Sequence, residues 1–497
     1  MMKKTAVLFL LSALLSSGAA FAQEEPRDNF YYLSQINKAS DILNTRDGLL
    51  TPAEGRDFAR AIQKVIDQGN SPDGSRPRLV ITYEPYLIKE GGPDITKIHA
   101  GRSSQDMLST TSIMEQRDHL LVLSDRLNQV QKDLIRLAEE NKDTLIPNYT
   151  NGVAAQPNSL AHYLIAYANA YARDSERLQQ YYARLNRSPM GATVLNGTGW
   201  PLDRDGMASY LGFDSIAYNT YDAGQVFTQE APIETAGIVS AIAIHTTGFI
   251  EEIMQQYAQP RPWILLREGA DTTYVSSAMP QKRNPGLLNS TRADAGTLLG
   301  DAAGAVFRAH NIPAGMPDGR LSGSNDTMVP AAAMLGKFDK ILNSLVIDKN
   351  RSLEELDLDW TCSQEIADRL MKNHGIPFRE GHHFASEIVT YARAHQITPM
   401  NFTYEQAKSV YDTLTKTDPN LPKVFPMSEQ EWNDSKDPAA IVRHRAVKGG
   451  PQPAELEKMI SMAKKTLAQN EEWTRTARNK LASAENRLNQ DFDKMKE

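Results

Sequence analysis

One stretch in the middle of the chain, Val275-Ser276-Ser277-Ala278-Met279-Pro280-Gln281-Lys282-Arg283-Asn284-Pro285, decides how the rest is interpreted. It places two adjacent hydroxyls, a lysine and an asparagine within a few positions, between an apolar stretch at 235–257 and a second helical pattern at 287–308. A plain connector between helices is usually shorter. Because loops that rigid helices hold in place often carry function, this segment is the first candidate for a functional loop.

The helical patterns around this loop predict a long helix bundle. Two stretches repeat apolar residues at spacings of three and four, which is typical of a seam that faces other helices. These apolar positions are Leu120, Leu123, Leu127, Val130, Leu134 and Leu137 in one helix and Leu160, Leu164, Tyr167, Tyr171, Leu178, Tyr181 and Leu185 in the next. With the stretches 235–257, 287–308 and 328–347 they make five long helices, which we interpret as one bundle.

The predicted fold is therefore all-α, with three mostly helical domains. We expect an N-terminal domain at 23–112, a central bundle at 113–360 and a C-terminal helical domain at 361–497. Two local expectations accompany this division. The segment 79–86 is extended in character, and the charged, alanine-rich stretch 453–497 is a solvated helix or a pair of helices.

Composition excludes several classes of function. Acidic residues number 61 and basic residues 54, so the net charge is −7 and no basic stripe points to a nucleic-acid partner. The single cysteine, Cys362, rules out a disulfide within the chain and is expected to be a packed thiol. The sequence contains no metal-ligand cluster and no glycine-rich phosphate loop, so we predict no metal and no cofactor.

The first residues predict export. Lys3 and Lys4 form a positive region, 6–15 is apolar, and Ala20-Phe21-Ala22 is a small-residue cleavage site, so residues 1–22 form a predicted signal peptide. We expect a periplasmic or secreted protein that begins at Gln23. No later segment reads as apolar enough to cross a bilayer, so we expect no membrane partner after cleavage.

The central loop resembles the signature loop of the fumarase/aspartase superfamily, Gly-Ser-Ser-x-Met-Pro-x-Lys-x-Asn, with Val275 in place of the glycine. Its Gln281 and Arg283-Asn284-Pro285 are similar to the argininosuccinate lyase branch. Further similar stretches follow in the same order as in that family, and the resemblance covers roughly residues 30 to 465. They are His99-Ala100-Gly101-Arg102-Ser103, Pro147-Asn148-Tyr149-Thr150-Asn151 with Ala155-Gln156-Pro157, Leu202-Asp203-Arg204-Asp205 with Leu211-Gly212-Phe213, and Gly375-Ile376-Pro377-Phe378-Arg379-Glu380 with Arg445-Ala446-Val447-Lys448-Gly449-Gly450.

The resemblance implies a fold, an assembly and a reaction. Members of this family form homotetramers, in which the bundles of four subunits join into one core and segments from three subunits meet at each active site. They act on small carboxylate substrates. They break a C–N or C–O bond beta to a carboxylate by anti elimination and release fumarate or a related unsaturated acid.

The resemblance also implies roles for individual residues. Ser276 is the expected base, and Lys282 and the backbone N–H groups of the loop are candidates to stabilise its alkoxide. The expected substrate contacts lie on this loop and on two other matched segments. They are Ser277, Lys282 and Asn284 on the loop, Thr150 and Gln156 on one segment, and Ser103 and Gln105 on the other.

Two departures from the family fall on its proton relay. The histidine that usually follows the threonine is Asn151 here, and the carboxylate that pairs with it is Asn289. We assign both positions to the catalytic set, although an amide cannot pass a proton at neutral pH. Other departures make the remote half of the pocket less charged, so we expect a substrate other than argininosuccinate. They are Ser104-Gln105, Gln225-Val226-Phe227, Met316, Leu321 and Ser324.

Three functions stay open at this point. The intact Ser276, Lys282 and Asn284 favour an exported lyase, similar to argininosuccinate lyase. The paired amides Asn151 and Asn289 favour a non-catalytic relative that binds a dicarboxylate or serves a structural role, or a lyase with another acid. A cycloisomerase of the same superfamily is the third alternative.

Overall fold

The computed structural model describes residues 26–315 and 324–497, and these residues are mostly helical. The helices are α1 (Asn29–Arg46), α2 (Pro52–Asn70), α3 (Val80–Gly91), α4 (Ser104–Glu140), α5 (Leu160–Leu185), α6 (Arg204–Tyr210), α7 (Ala231–Tyr257), α8 (Gly286–Ala309), α9 (Ser324–Leu342), α10 (Lys349–Leu358), α11 (Ser363–His374), α12 (Phe378–His395), α13 (Tyr404–Leu414), α14 (Glu429–Lys436), α15 (Pro438–His444) and α16 (Pro453–Met495). The predicted signal peptide at 1–22 lies outside the described residues.

Short strands pair in twos between the helices. They are β1 (Leu145–Thr150) with β2 (Val153–Ser159), β3 (Arg187–Ser188) with β4 (Ser215–Ile216), β5 (Ile264–Leu266) with β8 (Leu345–Ile347), and β6 (Tyr274–Val275) with β7 (Arg283–Asn284). The pair β3–β4 is parallel and the other three pairs are antiparallel.

The long helices form the predicted central bundle. α4 packs against α5, α9 and α16, and α7 packs against α5, α8 and α9. The leucine seam of α4 faces inward, with Leu127, Val130 and Leu134 fully buried. Burial of each such side chain contributes about 1.5–3 kcal/mol, which explains why the apolar spacing fixes the bundle. The prediction of a mostly helical fold with a long bundle is confirmed.

Helix α7 corrects the expectation about membranes. Among the described residues it is long and apolar enough to span a bilayer by length and composition alone, contrary to the sequence prediction. Half of its most apolar window is buried against the other bundle helices. A helix buried in a protein core has the same apolar composition as a helix that spans a membrane. Composition alone therefore does not distinguish these two roles for α7.

The last helix is one continuous element rather than a pair. α16 extends for 43 residues and packs along α1, α4 and α5. Its inward side chains, among them Leu456 and Phe492, belong to the same large core as the bundle. A second, smaller core lies within residues 366–432, around Trp432 and Phe384. The charged outer face of α16 is solvated, whereas its inner face ties the chain end to the bundle.

Two local expectations were wrong. Residues predicted as extended at 79–86 lie mostly in α3, because Val80, Tyr83 and Leu87 recur on one helical face that is buried. The helix predicted at 328–347 ends at Leu342, and its last three residues form β8 beside β5. Burial against a neighbouring element overrides the local preference of the segment in each case.

Candidate active site

The central loop forms an antiparallel hairpin, the signature hairpin (274–284). Tyr274 pairs with Asn284 and Val275 pairs with Arg283. The Ser276 N–H donates to the carbonyl of Lys282 at 3.1 Å, and the Lys282 N–H donates to the carbonyl of Met279 at 3.0 Å. These backbone bonds bring the first serine and the lysine to the same end of the two strands.

The Ser276 hydroxyl lies at the head of this turn. Its Oγ accepts the backbone N–H of Met279 at 3.2 Å and, less closely, that of Ala278 at 3.4 Å. The same geometry closes a common serine turn, so it has a structural reading as well. Two N–H donors on one oxygen also stabilise negative charge there, which is what a serine acting as a base requires.

The other residues of the signature hairpin leave a cation available. Lys282 is exposed, and within the described part of the chain no hydrogen bond or ion pair engages its ammonium group. Arg283, by contrast, is paired with Glu268 at 2.8 Å. The Asn284 amide donates to the carbonyl of Tyr274 at 3.3 Å, and Ser277 is exposed. Lys282 is therefore the cation on this hairpin that is free to meet a carboxylate.

Strands β1 and β2 form a second hairpin, the bulged hairpin (145–159). Thr150 pairs with Val153, so the loop is only two residues long, Asn151-Gly152. Asn151 has φ +52° and Gly152 has φ +77°, the pair of left-handed residues that a type I′ turn demands. Asparagine is favoured at the first of these positions. The structure thus gives Asn151 a backbone role that is independent of any lost proton relay.

Beneath the bulged hairpin lies a cavity of about 570 Å³, the end cavity. Thr150 and Gln156, both predicted substrate contacts, line it. The hairpin register shifts beside Tyr149, which leaves Ala155 as the extra residue on β2, and Ala155 also lines the cavity. Bulges commonly redirect side chains next to functional sites. The other walls come from α4, α5, α7, β5, β8 and α11.

Tyr149 anchors the bulged hairpin to the bundle. Its hydroxyl donates to a carboxylate oxygen of Glu355 and accepts from Gln256 Nε2 at 3.2 Å and from Trp263 Nε1 at 3.3 Å. Burial, together with the bond to Glu355, raises the pKa of Tyr149 to about 12. Because the hydroxyl stays protonated, it can donate to Glu355 while it accepts from Gln256 and Trp263. These bonds hold the bulged hairpin against the bundle. Motif comparison did not single out this role.

Ser103 and Gln105 lie at the start of α4. Ser103 caps the helix: its Oγ accepts the N–H of Gln105 at 3.2 Å, and its own N–H donates to the Asp106 carboxylate at 2.7 Å. Asp106 also accepts from the backbone of Gly191 and Thr193 at 3.0 and 3.2 Å. Burial raises the pKa of Asp106, and these backbone donors oppose that shift. Ser103 therefore has a full structural role.

The loop that Asp106 holds is strained. Thr193 has φ +47° and Val194 has φ +71°, which is costly for β-branched residues. The Val194 carbonyl accepts the amide of Gln225 at 2.8 Å, so one of the sequence departures from the family supports this loop. No local sequence pattern indicated this strain.

The predicted site residues fall at opposite ends of the bundle within one chain. Leu137, near the end of α4, lines the end cavity, whereas Ser103 caps the start of the same helix. At 1.5 Å per residue these ends are about 50 Å apart. The signature hairpin is at the cavity end, because Lys340 near the end of α9 pairs with Asp271 beside it at 2.9 Å. One chain alone therefore cannot bring all these residues together.

The remaining predicted positions are partly described. Asn289 lies in the first turn of α8, where its side chain is exposed and its backbone N–H donates to the Pro285 carbonyl at 3.1 Å. Met316 and Leu321, and the side chain of Ser324, lie outside what the structure describes. Within 26–315 and 324–497 no group of three or more histidine, cysteine or acidic side chains is arranged for a metal ion.

Comparison with known proteins connects this arrangement to one family. A lyase family model matches residues 90–300, and a model of the argininosuccinate lyase C-terminal region matches residues 360–428. Argininosuccinate lyase of Oceanobacillus iheyensis is 31% identical over 78% of this chain and 81% of its own length.

Solved structures show the same fold. EDDS lyase in complex with formate superposes with a TM-score of 0.85 at 26% identity, covering 94% of this chain and 92% of that one. The 3-carboxy-cis,cis-muconate lactonizing enzyme from Pseudomonas putida gives a TM-score of 0.62 at 17% identity, over 90% of this chain and 96% of that one. The second likeness shows the fold alone.

Proposed function

Because this chain belongs to the fumarase/aspartase superfamily, in its argininosuccinate lyase branch, we propose that it cleaves a C–N bond beta to a carboxylate and releases fumarate. A C–O bond is the variant of the same reaction. The substrate is a small carboxylate, best described as an N-substituted aspartate. We propose anti elimination because the family resemblance implies it.

In the proposed reaction, Ser276 acts as its alkoxide: Oγ takes a proton from the carbon next to the distal carboxylate and becomes a hydroxyl. The electron pair first rests on that carboxylate as an aci-anion. It then forms the carbon–carbon double bond, while the C–N bond breaks and its electrons leave with the nitrogen. Lys282 pairs with the dianionic intermediate, and Ser277 and Asn284 are the neighbouring donors for its oxygens.

One observation carries this proposal. The Ser276 oxygen accepts two backbone N–H groups on the same hairpin that presents the unpaired Lys282. Serine is a poor base unless donors stabilise its alkoxide, and this hairpin supplies both fixed dipoles and a nearby positive charge.

The leaving nitrogen must gain a proton from a group other than the usual relay. Neither Asn151 nor Asn289 can transfer one. The tight turn explains why asparagine suits position 151, but it leaves Asn289 without a structural reason. The missing relay and the changed remote half of the site support a substrate other than argininosuccinate.

We further propose a homotetramer with composite active sites. Ser103 lies about 50 Å along α4 from Leu137, which lines the same cavity as Thr150, so a shared site needs more than one subunit. The outer faces of the bundle helices are apolar enough to pack against other copies, with Ile244 of α7 58% exposed and Phe307 of α8 77% exposed. Sedimentation analysis of the purified protein tests this assembly.

Export remains part of the proposal. Lys3, Lys4 and Ala20-Phe21-Ala22 support cleavage after residue 22 and a periplasmic or secreted location. The measured mass of the protein recovered from the periplasmic and extracellular fractions should match a chain that begins at Gln23. Recovery only as an uncleaved chain in the cytoplasm would contradict it.

Fumarate release is the test of the reaction. Mature protein is given a panel of N-substituted aspartates, including argininosuccinate, and products are followed by absorbance and mass spectrometry, with Ser276→Ala as the control. We expect fumarate from at least one substrate and about 10³-fold slower release from the variant. Tight dicarboxylate binding without turnover would instead favour the non-catalytic relative, and an isomer of the substrate would favour a cycloisomerase.

A further inference from the structure

Asn148 is a polar residue on β1 of the bulged hairpin that the proposed reaction does not yet use. It lies two positions before Thr150, and side chains two apart on a strand project from the same face. Both residues line the end cavity. Thr150 is exposed and Asn148 is only partly buried, so a ligand at this hairpin can reach both side chains.

A buried neighbour orients the Asn148 amide. Asn158 on β2 is 3% exposed, and its Nδ2 donates to the Asn148 Oδ1 at 3.1 Å. Among the described residues this is the only hydrogen bond of the Asn158 side chain, and its own Oδ1 is buried without a partner. An unpaired buried oxygen costs free energy, so stability alone does not account for an amide at position 158. Its bond to Asn148 gives that amide a purpose.

The orientation of Asn148 leaves its amide nitrogen available. A side-chain amide has one carbonyl acceptor and two N–H donors. The Asn148 oxygen is engaged by Asn158, and none of the described residues accepts from the Asn148 N–H groups. A ligand carboxylate can therefore use these N–H groups together with the exposed Thr150 hydroxyl.

Gln156 directs its own nitrogen elsewhere. It pairs with Asn148 across the bulged hairpin, and its Nε2 donates to the Gln364 Oε1 on α11. The Gln364 Nε2 donates in turn to the Asp368 carboxylate at 3.4 Å. An ionised carboxylate only accepts, so Asp368 sets the direction of this chain of bonds. Asn148 and Thr150 are then the donors that this side of the hairpin offers.

We propose that Asn148 is a further substrate-binding residue, which donates with Thr150 to one carboxylate of the substrate, and that Asn158 is its positioning residue. The inference rests on the proposed lyase function and names a contact of its substrate. In that reaction the signature hairpin serves the distal carboxylate, where charge accumulates. The bulged hairpin then serves the other carboxylate, on the carbon that bears the leaving nitrogen.

Succinate binding tests Asn148 without any turnover. Succinate carries both carboxylates and no leaving group, and it is titrated into the full mature protein by calorimetry. Asn148→Ala should weaken its binding about tenfold, the usual loss for a hydrogen bond to a charged group. Asn148→Asp should weaken it further, because a carboxylate repels the ligand where the amide donated to it. Retained binding in Asn148→Asp, or no saturable binding by wild type, would overturn the inference.

A second asparagine at the same end of the bundle is the matched control. Asn343 follows α9, is exposed, and makes its side-chain hydrogen bonds with Arg136 and Asp339. Asn343→Ala should leave the dissociation constant of succinate unchanged. A loss equal to that of Asn148→Ala would mean that any amide removed from this end weakens binding, which contradicts a direct contact.

A double-mutant cycle tests the positioning role of Asn158. Asn158→Ala should weaken succinate binding at least about threefold in wild type and change it little in the Asn148→Ala background, because it acts through Asn148. Each dissociation constant is measured well below the thermal midpoint of the least stable variant, so that lost stability is not counted as lost affinity. Equal effects in both backgrounds would contradict the positioning role.

Turnover separates this inference from the proposed function. With an N-substituted aspartate that wild type cleaves, Asn148→Ala should lower kcat/KM about tenfold. An unchanged kcat/KM would overturn the inference and leave the lyase standing. Succinate binding that depends on Asn148, without fumarate from any substrate, would keep Asn148 as a carboxylate contact and contradict the lyase alone.

Discussion

Two hairpins at the same end of the bundle are built in opposite ways. The bulged hairpin packs over a cavity, and the hydroxyl of its Tyr149 bonds to Glu355, Gln256 and Trp263. The signature hairpin is exposed, with Val275 54% accessible, and backbone bonds close it. Its lysine has no partner in the described part of the chain.

The difference between the two hairpins separates residues that stabilise the fold from residues that serve the reaction. A hairpin held by buried side chains contributes to folding, so changes there should alter the free energy of unfolding. An exposed hairpin closed by its own backbone contributes little to the free energy of unfolding, so stability does not explain why Ser276 and Lys282 stand together on it. We infer that the signature hairpin serves the reaction and that the bulged hairpin shapes the pocket.

Substitution of Ser276 should have the largest effect on fumarate release. Ser276→Ala should lower fumarate release by about 10³-fold, the usual order for loss of a general base. The thermal midpoint should change little, because water can replace the lost turn contacts on an exposed loop. Kinetics and calorimetry on the same preparation check both halves. A large drop in the thermal midpoint alongside the loss of activity would mean that Ser276 is only a turn residue.

Lys282→Met should give the next largest effect. Loss of a charged hydrogen-bond donor costs about 1.5–3 kcal/mol, which corresponds to about 10- to 100-fold in kcat/KM. Lys340→Met is the matched control, since Lys340 lies at the same end but is already paired with Asp271. Steady-state kinetics on both variants compares them. Similar losses would contradict a specific role for Lys282.

On the bulged hairpin, Tyr149→Phe should act on stability. It leaves the donors of Gln256 and Trp263 without their acceptor, at a cost of about 2 kcal/mol. Tyr274→Phe on the signature hairpin is the control, because Tyr274 is 59% exposed. Urea unfolding should show a lower midpoint for the first variant only. Equal midpoints would remove the contrast between the two hairpins.

The smallest expected effect concerns the turn of the bulged hairpin. Asn151→Gly should leave the free energy of unfolding almost unchanged, whereas Asn151→Val should lower it by about 1–2 kcal/mol, because a β-branched residue resists positive φ. Urea unfolding measures both. If Asn151→Gly instead abolishes fumarate release with unchanged stability, the asparagine takes part in the chemistry.

The sequence alone was sufficient to predict features that depend on residues close together in the chain. Ser276, Lys282 and Asn284 stand close together in one motif, and the leucine spacing of α4 follows directly from helical geometry. The Asn151-Gly152 pair is a strong hairpin signal, yet family comparison alone reads Asn151 only as a lost histidine. Its turn role became clear from the backbone angles.

Features that depend on distant segments could not be predicted. The end cavity combines residues from Leu137 to Gln364, and no spacing in the chain brings them together. Strand β8 reads as the end of an apolar helix until its pairing with β5 is seen. The separation of Ser103 from Thr150 also required the length and direction of α4 within the fold.

The most direct test of the account mixes two inactive variants. Ser276→Ala and Gln105→Trp alter opposite ends of the bundle, and each alone should release very little fumarate from an N-substituted aspartate that wild type cleaves. After dissociation and reassembly together, we predict recovered fumarate release, because some sites then draw both intact segments from different subunits. Reassembled mixtures that stay as inactive as the separate variants would contradict a composite lyase site.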